Sequence, residues 1–459
     1  MAIITKVEPQ DDTPVFNEVV FVFDSTNKTK DKFEYVIRLD VNGSEEARLK
    51  IQTNPQGVGI VDLSKHLQNY IGYDLPTNEV FQLNTKYYID FDVKVAENFV
   101  QEETIVSANE DSGKVRYSTS IAHSFVVGDF VIIENATESS YNGLQEVTDV
   151  QSSNTQFTTT KNFVSTTTGT AKYGDGSPTL QPFTDIGSYV GLNVVNKWDE
   201  VWDEEDFEMV AGNNGKFLTN LPYNSIIRED DSFTLNYKAA NIGNLTLKTS
   251  NGSEFAFCRT SAAQFCVNIG IPALLNTAMC NGNFLSQSEI DNAKWYTIEL
   301  KTIDGTVSEI KRFTIDRSCA NEDATTLTYL NRFGSWSVFH FLGSRTKQVS
   351  AKKTTYRKSF GGYNTNTETY DYNTSDRGLK VLDVDNKETH TINSLYMKPE
   401  QADLIEDLLK SPEVFEAVSG ELYAINLKTS SVKIKKRSID KLLSYSVDFE
   451  YSNKNKAQR

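Results

Sequence analysis

Residues 33–41 read FEYVIRLDV, and this stretch decides the fold class of the 459-residue chain. Apolar residues alternate here with mostly charged ones, so one face of an extended strand is apolar. The side chains on that face are Phe33, Tyr35, Ile37, Leu39 and Val41. Neighbouring side chains of a strand point to opposite faces, and one apolar face beside one charged face is typical of antiparallel sheets. The stretch therefore predicts an antiparallel β structure.

The same alternation recurs at residues 87–95 (YYIDFDVKV) and 444–451 (SYSVDFEY). No regular exchange of strands and helices appears, which argues against a doubly wound sheet. One stretch, KPEQADLIEDLLKSP at 398–412, has helical spacing, with Pro399 suited to a first turn. The predicted fold is mainly β, with Ig-like β-sandwich domains, an inserted small β-barrel module and one C-terminal helix.

Composition changes along the chain predict the domains. Residues 101–176 carry short β runs between Gly, Asn and Ser breaks, and strand-like sequence precedes and follows them. An insertion of this kind is tolerated at an exposed loop. The predicted domains are a discontinuous N-terminal β-sandwich at 1–100 and 177–215, the inserted module at 101–176, a second β-sandwich at 216–318, and a C-terminal β domain at 319–459 with a helix at 399–410.

The formal net charge of −16 disfavours bulk nucleic-acid binding, because a phosphate backbone would be repelled. The opening residues MAIITKVEPQ have no basic and no apolar region of the kind a secretory signal needs. No apolar run approaches about 20 residues, the length of a membrane-spanning helix. We therefore expect no specific nucleic acid and no membrane among the partners.

The four cysteines are Cys258, Cys266, Cys280 and Cys319. They form no CxxC pair, and four cysteines in a chain of this length do not make a disulfide scaffold. Reduced, partly buried thiols are the favoured interpretation, with a zinc site or disulfide pairs as the alternatives.

No catalytic motif is present in the sequence. The histidines, His66, His123, His340 and His390, lie far apart, and neither a phosphate-binding loop nor a nucleophile elbow occurs. A glycosidase needs two carboxylates about 5–10 Å apart, which sequence alone does not place. We predict a protein that is not an enzyme, with no catalytic residue, no cofactor and no metal.

Residues 199–208 (DEVWDEEDFE) form an acidic run that carries aromatic side chains. One interpretation is a solvated acidic strand or loop, and the other is a docking patch for a basic neighbour. Basic stretches that would suit it occur around Lys352, Lys353 and Arg357, and from Lys433 to Arg437. The candidate subunit contacts are Trp198, Trp202, Lys435 and Lys436.

Three stretches resemble virion proteins of phages that infect Bacteroidetes, including crAss-like and flavobacterial phages. The first comprises FNEVVFVFDS (16–25), FEYVIRLDV (33–41) and residues 47–74. The second is GDFVIIENATESSYNGLQEV (128–147) with TQFTTT and GTAKY, which is similar to a small β module of phage tail components. The third pairs LTYLNRFGSWSVFHF (327–341) with residues 396–434 and LLSYSVDFEYS (442–452). Together they cover about two-thirds of the chain.

The resemblance implies a structural protein of the virion, assembled in the host cytoplasm as an oligomeric subunit of the tail, neck ring or baseplate. Its partners would be other copies of itself and other virion proteins. A receptor- or glycan-binding tail appendage is the alternative, because aromatic residues expected in loops, such as Trp336 and Tyr363, would stack on sugars. A tail-borne polysaccharide hydrolase ranks last, since no motif supports it.

Overall fold

The computed structural model describes residues 3–174, 177–210, 214–238, 242–259, 264–318, 324–359, 361–397, 402–429 and 444–453. The chain divides into two compact units. The first unit is Met1–Ile71 with Tyr88–Asn193, and the second is Gly72–Tyr87 with Val194–Arg459.

Strands dominate both units. The strands up to residue 193 are β1 (Ile3–Val7), β2 (Asp12–Pro14), β3 (Val20–Ser25), β4 (Glu34–Val41), β5 (Ser44–Gln52), β6 (Gly59–Asp62), β7 (Phe81–Leu83), β8 (Tyr88–Phe99), β9 (Glu102–Asp111), β10 (Lys114–Thr119), β11 (Phe130–Glu134), β12 (Gly143–Val150), β13 (Gln156–Asn162), β14 (Gly169–Tyr173), β15 (Thr179–Leu180) and β16 (Thr184–Leu192).

The strands after residue 193 are β17 (Asn224–Ile227), β18 (Thr234–Asn236), β19 (Ile242–Thr249), β20 (Glu254–Cys258), β21 (Gln264–Asn268), β22 (Trp295–Thr302), β23 (Lys311–Ile315), β24 (Thr325–Leu330), β25 (Trp336–Phe341), β26 (Arg345–Arg357), β27 (Gly362–Asn364), β28 (Thr369–Asp371), β29 (Leu379–Asn393), β30 (Val414–Val418), β31 (Glu421–Leu427) and β32 (Ser446–Tyr451). The helices are α1 (Ser64–Leu67), α2 (Ile271–Asn276), α3 (Gln287–Asn292) and α4 (Ala402–Lys410), with 3₁₀ turns at Ser139–Tyr141 and Glu204–Phe207.

The first unit contains a β-sandwich. One sheet has the order β2-β16-β8-β4-β5, with β15 also paired to β8, and the other has the order β1-β3-β6. Side chains from both sheets share one apolar core. The stretch FEYVIRLDV supplies β4, which lies between β8 and β5, and Tyr35, Ile37 and Leu39 are fully buried. The predicted apolar face is therefore confirmed.

A closed barrel lies within the same unit, with the strand order β10-β13-β12-β11-β14-β9. Its strands follow β8 and precede β15 and β16, and β8 and β16 pair antiparallel with each other. The barrel has its own core, in which the Tyr117 and Phe157 rings lie 5.2 Å apart. The chain leaves the sandwich after β8 and returns to it at β15 and β16, both of which pair with β8. The barrel therefore lies between two paired strands of the sandwich in the sequence.

The second unit combines a five-stranded sheet (β17-β23-β22-β19-β20), a three-stranded sheet (β18-β21-β7) and a seven-stranded sheet (β25-β24-β30-β31-β32-β29-β26). One core joins side chains of all three sheets and of α4. Leu404, Ile405 and Leu408 of α4 are buried in that core, as their helical spacing predicts. No helix within the described ranges is both long enough and apolar enough to cross a membrane.

The predicted fold class is confirmed: over the described ranges the chain is mainly β, with several sheets, one closed six-stranded barrel and little helix. The four predicted domains divide the chain more finely than the two compact units, and their bounds stay predictions.

The expectation of reduced thiols is wrong for two of the four cysteines. Cys258, at the end of β20, forms a disulfide with Cys280, and their Cα atoms are 4.9 Å apart. The Cys280 amide also donates a hydrogen bond to the Ala256 carbonyl, which brings this loop against β20. Cys266 is a buried free thiol, whose pKa burial raises to about 12, and Cys319 lies outside the described residues.

Candidate interaction surfaces

A long two-stranded ribbon extends the seven-stranded sheet. Strands β26 and β29 pair antiparallel from Arg345 opposite Ile392 to Arg357 opposite Leu379, with one bulge. Strand β32 pairs with β29 only between His390 and Asn393. Beyond that point neither strand has another neighbour in the described sheets. We call residues 346–389, of which 360 is not described, the arm.

The arm buries almost nothing. Every described residue of β26 after Arg345 is exposed, including Val349 at 56%. A strand of thirteen residues spans about 40 Å, so the arm extends far beyond the sheet that anchors it. An isolated two-stranded ribbon is at best marginally stable in water, because it has no apolar face to bury. The arm therefore gains little stability from burial within the described chain.

The first half of the arm is basic although the chain is acidic, whereas its second half, residues 368–389, carries six acidic and three basic side chains. Residues 346–367 contain five basic side chains and no acidic one. The basic residues are Lys347, Lys352, Lys353, Arg357 and Lys358. Within the part of the chain that the structure describes, Lys347 pairs with Glu388 at 2.8 Å, whereas Lys352, Lys353 and Arg357 form no ion pair. Their charge is therefore available to a partner.

Tyrosines cluster at the far end of the arm. Tyr363 of β27 lies directly opposite Tyr370 of β28, and both are at least 60% exposed, as is Tyr372. The Tyr370 hydroxyl lies 3.1 Å from the Ser359 hydroxyl. Tyrosine presents a rigid ring with a polar end, and this combination is common in recognition surfaces.

The base of the arm is fixed by a buried ion pair. The Arg345 guanidinium donates to both carboxylate oxygens of Glu416, which is 2% exposed, and the Tyr451 hydroxyl donates to the same carboxylate. The Arg345 guanidinium also lies 5.4 Å from the centre of the Phe449 ring. These contacts join β26 to β30 and β32, so the arm leaves the sheet from a rigid base.

His390 also lies at the base of the arm, where it contacts Arg345 and Phe449. Its ring stacks on Phe449 at 5.1 Å, and its Nδ1 lies 3.2 Å from Arg345 Nε. Burial, together with the nearby Arg345 guanidinium, lowers the pKa of His390. A neutral imidazole accepts the hydrogen bond from Arg345, whereas a protonated one would repel the guanidinium.

An acidic segment, residues 197–208, forms the second surface. It begins with a turn in which the Glu200 amide donates to the Lys197 carbonyl. The Arg332 guanidinium holds the Glu200 carboxylate with two hydrogen bonds, of 2.5 and 3.3 Å. At the tip of this turn Trp198 is 95% exposed, and Val201 just beyond it is 94% exposed. A large apolar side chain held in water by an anchored turn is suited to insertion into a partner.

The four predicted contact residues differ in their exposure and in whether the structure describes them. Trp198 is exposed, whereas the Trp202 ring stacks on Phe207 at 4.9 Å and is only partly exposed. Lys435 and Lys436 lie outside the described residues. The role of all four residues in subunit contacts stays a prediction.

The expectation that Trp336 lies in a loop and stacks on a sugar is wrong, because Trp336 is the first residue of β25. Its side chain is 3% exposed, and its indole Nε1 donates to the Asp74 carbonyl at 2.8 Å. Tyr363, the other such aromatic, is 64% exposed.

One arrangement in the second unit resembles the order of groups in a hydrolytic triad. The Nδ1 atom of His340 lies 3.2 Å from the Thr326 hydroxyl, and its Nε2 atom lies 2.9 Å from the Asp231 carboxylate. Thr326 and His340 are directly opposite each other on β24 and β25, so ordinary strand pairing brings them together. The same Asp231 carboxylate accepts a hydrogen bond from the Arg228 amide, which ties it to the adjacent turn. Strand pairing accounts for the Thr326–His340 contact, and the hydrogen bond from Arg228 holds the Asp231 carboxylate that His340 contacts.

Among the described residues, no three His, Cys, Asp or Glu side chains are close enough together to hold a metal ion.

The arm itself was missed by reasoning from the sequence. Its strand β26 reads RTKQVSAKKTTYR and has no continuous apolar face, so alternation does not reveal it. The available signal was a run of β-compatible residues with five basic and no acidic side chains, in a chain of net charge −16.

No family model and no curated protein matches the chain. Among solved structures, the phage phi92 endosialidase is similar at 10% identity and a TM-score of 0.16, covering 96% of this chain and 64% of that one. The tetra-tandem repeat in the extending region of a large adhesion protein is similar at 10% identity and a TM-score of 0.12, covering 85% of this chain and 94% of that one. Both scores are too low to support an argument about function.

Proposed function

We propose that the chain is a structural subunit of a bacteriophage particle, located in the tail, neck ring or baseplate and acting through contacts with further copies and with other virion proteins. The observation that carries the proposal is the arm: two long paired strands that bury almost nothing in the chain that makes them. A ribbon of this kind gains its stability from a partner, as subunits of an assembly do. The resemblance of three sequence stretches to virion proteins supports the same proposal.

The proposal includes no enzymatic step. The contact between Thr326 and His340 is that of a strand pair, and we base the proposal on exposed surfaces instead of a catalytic centre. The exposed Tyr363, Tyr370 and Tyr372 favour a second candidate, a receptor- or glycan-binding tail appendage, in which the end of the arm contacts the host surface.

Mass spectrometry of purified particles of the encoding phage tests the proposal. We expect the chain in particles banded on a density gradient, in several copies per particle and in a constant ratio to the major tail protein. A chain found in the infected-cell lysate but absent from banded particles would overturn it.

Size and binding separate the two candidates. A ring subunit is expected as a monomer or as a closed cyclic oligomer, whereas an appendage is expected as an elongated trimer that binds host cells. For the appendage, Tyr363→Ala with Tyr370→Ala should abolish cell binding, whereas Tyr223→Ala, which alters an exposed tyrosine outside the arm, should not.

A further inference from the structure

We infer that the basic strand of the arm packs against the acidic segment of a neighbouring copy of the same chain. Each copy then gives its arm to one neighbour and receives the arm of another. The inference rests on the proposed function as an oligomeric subunit and names the two surfaces that meet.

The charges of the two surfaces are complementary. The charged side chains between residues 346 and 367 are all basic, and Lys352, Lys353 and Arg357 are exposed. Asp385 of the paired strand lies directly opposite Lys352. The acidic segment contains one basic residue, Lys197, and seven carboxylates, at Asp199, Glu200, Asp203, Glu204, Glu205, Asp206 and Glu208. Three of these carboxylates, those of Glu200, Asp206 and Glu208, pair with Arg332, Lys216 and Lys238 of the same chain. Complementary charge of this kind steers association and fixes its register.

An arm-to-arm contact is disfavoured by the same charges. Pairing two β26 strands edge to edge would place lysines of one copy beside lysines of the other, and like charges on adjacent strands are destabilising. Lysines on an edge strand also oppose unspecific strand addition. The basic strand therefore suits an acidic receiving surface.

Both surfaces also offer apolar area. On the arm, Val349 lies on the same strand face as Lys353, and Val384 lies directly opposite Lys353 on the paired strand. Val349 and Val384 therefore share one face of the ribbon. On the acidic segment, Trp198 and Val201 are almost fully exposed. Interfaces combine a few apolar anchors with a charged rim, and tryptophan is the residue most enriched among such anchors.

A contact between two different surfaces of identical chains repeats from copy to copy. It closes into a ring when the rotation between neighbours divides a full turn, and otherwise it builds a helical stack. Arm-to-segment packing therefore generates the type of assembly that the proposed function requires.

Two charge-reversed variants test the pairing. The first is Lys352→Glu with Lys353→Glu on the arm, and the second is Asp199→Lys with Asp203→Lys on the acidic segment. The matched control is Lys65→Glu with Lys161→Glu, which reverses two exposed lysines of the first unit. Sedimentation velocity of the full chain, from about 1 µM to 0.1 mM, measures assembly.

We expect the wild type and the control to form oligomers at the upper concentrations and each charge-reversed variant to remain monomeric. An equal mixture of the two variants should assemble again, because each reversed arm then meets a reversed segment. Trp198→Ala, which changes no charge, should weaken assembly at least tenfold. Thermal unfolding like that of the wild type confirms that each variant is folded, and Trp198→Ala provides the test if a reversed variant is not.

Three results would overturn the inference: a wild type that stays monomeric, reversed variants that assemble like the wild type, or a mixture that does not recover assembly. None of them bears on the proposed function, which is judged by the presence of the chain in purified particles. A chain absent from particles would instead overturn the proposed function, whatever its oligomeric state in solution.

Discussion

Arg345 and Glu416 form a two-point ion pair at the base of the arm, with the carboxylate almost entirely buried. Arg345 is the first residue of β26, and Glu416 lies on β30, which β31, β32 and β29 separate from β26 in the sheet order. The pair therefore links two strands that are not neighbours in the sheet and holds the start of the arm.

Breaking this pair should destabilise the second unit. Arg345→Met removes the guanidinium and leaves the Glu416 carboxylate buried with only the Tyr451 hydroxyl, which is expected to cost about 3 kcal/mol of unfolding free energy. Urea denaturation measures the loss. Lys347→Met, the matched control, removes an ion pair on the exposed part of β26 and should cost less than about 1 kcal/mol. Equal losses in the two variants would contradict this role of Glu416.

Acidification should weaken the base of the arm through His390. Burial and Arg345 hold the pKa of His390 below its ordinary 6.5, so the unfolded chain takes up this proton at a higher pH than the folded one. The stability contributed by neutral His390 is present above about pH 6.5 and is lost as the pH falls. His390→Gln keeps an acceptor for Arg345 and should flatten the decline in stability between about pH 7.5 and pH 5.5. Identical pH profiles for the two chains would refute the prediction.

Replacing Asp407 should stabilise the chain at neutral pH. Burial raises the pKa of Asp407 to about 6 from its ordinary 3.8, so ionising it in the folded chain is costly. That cost is absent at low pH and grows as the pH rises towards 6. Asp407→Asn, which still accepts the hydrogen bond from Asn220, should add about 1–3 kcal/mol at pH 7 and little below about pH 4.

The control for Asp407 is Asp403→Asn, because Asp403 is exposed in the first turn of the same helix. A carboxylate near a helix N-terminus is favourable, so this variant should be slightly less stable than the wild type. Urea denaturation at both pH values gives the comparison, and a destabilised Asp407→Asn at pH 7 would show the burial argument to be wrong.

The Cys258–Cys280 disulfide closes a loop with a sequence separation of 22. Cys258→Ser with Cys280→Ser should lower the unfolding free energy by about 3 kcal/mol, because the unfolded chain regains the entropy that the crosslink removes. Dithiothreitol should lower the stability of the wild type similarly and leave the double variant unchanged. Alkylation of both thiols in the folded, unreduced protein, detected by mass spectrometry, would show that the bond is absent.

Alternation predicted the elements that bury one face. Tyr35, Ile37 and Leu39 are buried because β4 is covered by a core on one side, and the spacing of Leu404, Ile405 and Leu408 predicted α4 for the same reason. The closed barrel followed from short β runs separated by turn residues. These signals are local, so a single sequence carries them.

Features that depend on distant residues could not be predicted. The spacing of Cys258 and Cys280 does not show that a loop returns to β20, and Trp336 is buried because residues around Asp74 pack over it. The arm gives no periodic signal because it has no core to face. Its strands are held by pairing with each other and by the base at Arg345, and neither is visible as an apolar pattern.

We propose that a partner covers the arm within a phage particle. A cryo-EM map of the intact particle would locate the arm and its neighbours. We expect several copies of the chain around a symmetry axis, with residues 346–389 of each copy packed against a neighbouring subunit. A map in which the chain is present but its arms are surrounded by solvent, or in which the chain is absent, would contradict it.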